Sequence, residues 1–359
     1  MMDVPGRLTI KRFLTGKTLL FLLLATIITL VIGVRLVKRQ QEQRPGIKPT
    51  FGELLAPLPA YKSPHPNPQT SKIELPPALN LPETAVVYRQ GIRSIEDQRA
   101  RQIGQALRMG VQPQIFGNTM VFQQEAKFLS LNLKTGDVSY SEPLPEYLKT
   151  LSQPALEDYA LLLIKQLFPD STFWENPVMQ TQHLATREPE PSPHGDLQLV
   201  PPESAQLAIV EAFPTINGTR IVGPKDPFGQ RGIVTAKFLK NDGLISLNGA
   251  VVAIDISNTG TYPLKSLPLA QQEIGAGRAL FTTAIPAGTS YGQVEPGADI
   301  TPTSAEYTEA EVVYYYNPDP NTFLQPMYLF TGKTTLTDGR PATIIAILPA
   351  IDPQFLKQP

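Results

Sequence analysis

Hydrophobic and polar positions divide this chain into three regimes. From Thr18 to Val34 the run TLLFLLLATIITLVIGV carries no charge over 17 residues, and Leu36 and Val37 extend it past Arg35. A proline-broken polar stretch follows. Beyond residue 83 apolar positions recur in short runs, alternating in some and helically spaced in others.

The first regime predicts a transmembrane helix over residues 18–37, in contact with a lipid bilayer. At 1.5 Å per residue it reaches roughly 26–30 Å, about one hydrocarbon core. A cleaved signal peptide would have a shorter apolar stretch and an A-x-A-like site, whereas Arg35-Leu36-Val37-Lys38-Arg39 comes next. Ala25, Thr29 and Gly33 recur every fourth residue as a candidate helix-packing stripe, a spacing that a Leu/Ile-rich run also yields by chance. Positive charges flank both ends nearly equally, so the flanking-charge rule does not set the direction. The short tail before the helix and the spacer after it favour a cytoplasmic N-terminus and an extracytoplasmic body at the cell membrane.

Residues 44–82 contain ten prolines, which predicts an extended spacer between membrane and body. In the body, Ala85–Tyr88 reads as a strand. Ser94 and Asp97 read as a capping box that opens a helix closed at Gly110. Residues 115–123, 128–133 and 138–140 form an antiparallel meander turned at Gly117-Asn118 and Gly136-Asp137. Leu156, Tyr159, Ala160, Leu163, Ile164 and Leu167 lie on one helical face. A further helix is expected over Glu203–Phe213 and another over Leu269–Phe281. Strands are expected at 233–239, 244–247, 251–256, 261–264, 312–316, 327–331 and 343–348, with turns at Asn248-Gly249 and Asn258-Thr259-Gly260.

These elements predict an α+β fold in which the membrane helix precedes helices packed on curled antiparallel sheets, in one or two lobes. The expected organisation is a cytoplasmic tail (1–17), the helix (18–37), a Pro-rich linker (38–83), a first α+β module (84–150) and a larger second module (151–359). Thirty-seven prolines against 25 glycines suit strands and turns better than long helices.

Charge sharpens the partners. Residues 1–48 hold nine Lys/Arg against two Asp/Glu, which leaves 22 basic and 30 acidic residues in the rest. A mildly acidic body without a basic stripe argues against a nucleic-acid partner. The absence of cysteine excludes disulfides, thiolate catalysis and Cys-ligated metals.

Candidate chemistry thins out on inspection. Gly332-Lys333-Thr334 resembles the end of a phosphate loop, but Met327 stands where the first glycine is needed. Gly16-Lys17-Thr18 has Lys11 there, so no nucleotide site is expected. The three histidines, His65, His183 and His194, lack metal-ligand spacing and read as surface residues. Glu157-Asp158 and Glu309/Glu311 read as helix-start and solvent-facing carboxylates. No catalytic, cofactor or metal residue is therefore expected. Tyr314, Tyr316 and Tyr328 form a candidate aromatic binding surface, against a core role with hydroxyls outward.

One segment resembles a family. Glu311-Val312-Val313-Tyr314-Tyr315-Tyr316, followed by Phe323-Leu324-Gln325-Pro326-Met327-Tyr328-Leu329-Phe330-Thr331-Gly332, resembles the closing part of PepSY-like proteins, among them the YycH/YycI regulators. YycH/YycI-type proteins are similar too in having one N-terminal membrane helix and an extracytoplasmic body. The resemblance implies two PepSY-like lobes and no enzymatic activity. It also implies a regulator of a membrane partner such as a sensor kinase or an envelope protease. A cell-envelope scaffold that binds wall polymer is the alternative expectation, and an envelope enzyme with an unrecognised site a more remote one.

Overall fold

The computed structural model describes residues 50–55, 69–75, 81–169, 171–186, 197–223, 232–240, 244–286, 301–316 and 322–357. The expected membrane helix, with Ala25, Thr29 and Gly33, lies outside them. No helix among the described residues is long and apolar enough to cross a membrane. The described residues belong to one compact unit.

That unit opens with strands β1 (Leu54–Leu55), β2 (Gln69–Ile73) and β3 (Thr84–Gln90), then helix α1 (Asp97–Ala106). A meander follows: β4 (Gln114–Phe116), β5 (Thr119–Gln124), β6 (Lys127–Asn132) and β7 (Asp137–Pro143). Helix α2 (Gln153–Leu167) leads to β8 (Val178–Thr186), β9 (Leu197–Leu199) and β10 (Leu207–Phe213), then β11 (Thr215–Ile216) and β12 (Thr219–Val222). Next come β13 (Val234–Leu239), β14 (Leu244–Ala250) and β15 (Ile254–Pro263), and helix α3 (Leu267–Gly275). Strands β16 (Phe281–Pro286), β17 (Ser304–Tyr315), β18 (Phe323–Thr335), β19 (Pro341–Pro349) and β20 (Leu356–Lys357) complete it. The fold is mixed α+β and mostly sheet.

Two nine-stranded sheets carry the architecture. The first runs β4-β5-β6-β7-β14-β13-β10-β8-β9 and is antiparallel throughout. Strands from both sides of residue 150 therefore share it, joined where β7 meets β14. Alternation explains its faces. Met120, Phe122, Leu129, Leu131, Val138 and Tyr140 are buried on the side that α1 and α2 cover, while Thr119, Ser130, Asn132 and Ser139 take the other. The predicted α2 stripe is observed, with Leu156, Ala160, Leu163, Ile164 and Leu167 all buried. The second sheet runs β11-β12-β17-β18-β19-β16, with β3 bridging β15 and β18, and packs on α3.

Several expectations are corrected. Glu203–Phe213 is not a helix: residues 207–213 form a strand paired on both sides. Six apolar residues and one glutamate, with Ile209 and Val210 among them, are too short a run for a stable helix and suit a central strand. Helix α1 starts at Asp97 without a side-chain cap, because Ile95 N–H donates to the Leu133 carbonyl and holds its neighbours extended. The expected turn at Asn258–Gly260 is a bulge within β15, and Asn248-Gly249 lies inside β14. Helix α3 stops at Gly275, so residues 281–286 pair as a strand.

The Pro-rich linker is shorter than residues 38–83. Leu54 is 1% exposed, and β1 pairs in parallel with β20. Gly52 O accepts from Tyr262 Oη at 3.0 Å and Leu55 O from Gln325 Nε2 at 2.8 Å. β2 adds to the edge of β17. Replacing Leu54 with Ala should cost about 2–5 kcal/mol and detach this clip, seen as a lower urea midpoint and faster proteolysis near residue 55.

Gly332, the glycine of the rejected phosphate-loop match, has a structural role in β18. It faces the bulge of β17 between Tyr307 and Glu309, and a Cβ there would lie 2.0 Å from the Glu306 carbonyl. Gly332→Ala should destabilise the protein by about 1–3 kcal/mol in chemical denaturation. An unchanged midpoint would refute this account.

Candidate functional site

The tyrosines singled out by the sequence are pulled into the core. Tyr314, Tyr316 and Tyr328 are 6%, 2% and 1% exposed, so they present no aromatic surface to a partner. Around these tyrosines both faces of β17 and β18 are covered, which leaves no outward position for the rings. Their hydroxyls also point inward, onto the backbone rather than to water. Tyr314 donates to Val86 O at 2.8 Å, Tyr316 to Val251 O at 3.2 Å and Tyr328 to Lys265 O at 2.7 Å. Tyr316 Oη in turn accepts from Ala253 N–H at 3.2 Å. Tyr314 meets Tyr88 edge-on at 5.6 Å.

Burial raises the pKa of these phenols. Desolvation dominates for Tyr314, with the neighbouring Tyr88 adding to it, and for Tyr316, where Arg93 pulls the other way. Tyr140 and Tyr159 are raised likewise by burial and by the carboxylate of Glu142. Glu142 accepts a hydrogen bond from Tyr159 and pairs with Lys127 Nζ at 3.1 Å, tying α2 to the meander. With both oxygens engaged, this carboxylate has a structural reading.

His183 is not a surface residue. It is 7% exposed, and its Nε2–H donates to Leu151 O at 2.7 Å. His65 and His194 lie outside the described residues. Glu309 and Glu311 face solvent as expected, Glu311 bonded to Arg220. No group of three His, Cys, Asp or Glu among the described residues could hold a metal ion.

What the tertiary structure assembles instead is a polar cavity of about 510 Å³. Its floor is the face of the first sheet turned away from α1 and α2, with Ser130, Asn132, Ser139 and Asn248. Arg93, Asp137 and Tyr316 stand around it. Arg93 Nη1 lies 3.8 Å from Asp137 Oδ1. Ser139 Oγ donates to Asn248 Oδ1 at 2.9 Å, and Asn248 Nδ2 donates to Ser246 Oγ at 3.2 Å. Of the sequence candidates, Tyr316 alone reaches this wall. Alternation in β6 and β7 announced polar residues on one face, but Asn248 arrives from 109 positions away. A second cleft, about 620 Å³, opens at the start of α1 with largely apolar walls such as Ile95, Ile103 and Val252.

No family model matches this chain, and no curated protein matches its sequence. Among solved structures it is similar to an uncharacterized protein from Eubacterium rectale ATCC 33656. That match has a TM-score of 0.41 and 10% identity, over 79% of this chain and 90% of the other. An overlap this low carries no functional argument.

Linkage fixes the sign of the alkaline behaviour. A raised phenol pKa means that the folded state keeps its protons where the unfolded chain has begun to lose them, near pH 10. The stability these tyrosines confer is whole below about pH 10 and falls as pH rises above it. Tyrosinate absorbance of the buried set should therefore appear together with loss of near-ultraviolet circular dichroism. A smooth titration near pH 10 with structure intact would contradict the burial.

Proposed function

We propose that this protein is a membrane-anchored, extracytoplasmic regulator of the PepSY-like, YycH/YycI type. In this reading it acts by binding a membrane or envelope protein, such as a sensor kinase or an envelope protease, and not by catalysis. The feature that carries the reading is how few residues separate the apolar run from the first held segment of the body. The apolar run ends at residue 37, and the backbone from Gly52 to Leu55 is already held, Gly52 by Tyr262 and Leu54–Leu55 by the C-terminal strand. Fourteen residues, 38–51, intervene, with a contour length of at most about 50 Å when extended. A body on so short a tether meets partners beside the bilayer. Burial of Tyr314, Tyr316 and Tyr328 removes the aromatic surface on which the wall-binding alternative relied.

A chain without cysteine allows a clean topology test. Single cysteines introduced as Asp3→Cys and Lys357→Cys should behave oppositely towards an impermeant maleimide. Position 357 should react in intact cells, and position 3 only after lysis. Both chains should remain with carbonate-washed membranes, and deletion of residues 1–37 should release the body. A soluble full-length chain would sink the anchor, and reversed labelling would sink the orientation.

A further inference from the structure

We draw no further inference here: the strongest candidate, the largely apolar cleft of about 620 Å³ walled by the start of α1, the turn after α2 and residues 251–256, carries nothing because no feature of the structure shows what covers it, and the Ser171 Oγ and Trp174 Nε1 atoms of its wall residues, without a partner among the described residues, are buried out of a ligand's reach.

Discussion

A tyrosine buried in a core must find an acceptor for its hydroxyl, and this fold is organised around meeting that need. Tyr314, Tyr316, Tyr328 and Tyr262 each donate to a backbone carbonyl far away in sequence: Val86, Val251, Lys265 and Gly52. Each bond pins a different segment. Together they hold β3, the crossover between the sheets, the entry to α3 and the N-terminal clip against the central strands. The rings supply apolar area and the hydroxyls supply position.

The pins explain how two large sheets share one unit. The residues after β14 leave the first sheet and enter β15 beside the second, and Tyr316 holds them as they cross. Lys265, 4% exposed as a residue, pairs with Glu273 at 2.5 Å while its carbonyl accepts from Tyr328. A buried cation is tolerable there because a carboxylate answers it. α3 is seated by the same few atoms.

The polar cavity follows from the same layering. Both helices of the first sheet lie on one side, so among the described residues no helix covers its other face. Curling brings Tyr316 and Arg93 over the edge of that face, and a row of hydroxyls becomes the floor of a concave site.

Sequence alone determined the local elements whose periodicity was strong: the apolar face of α2, the alternation through β5 to β7 and the strands 234–239 and 343–348. It also set the α+β class. It misread residues 203–213, where a short, mostly apolar run is compatible with either period and only pairing with β8 and β13 decides. It took residues 50–55 for linker, because nothing local marks Leu54 as the partner of Leu356. It placed the tyrosines on a strand and left a core role and a binding face both open; the structure buries them and turns their hydroxyls inward, because burial depends on what covers a face. The cavity was legible only as a polar alternation. Its assembly from strands more than a hundred residues apart is a matter of register, which tertiary pairing alone sets.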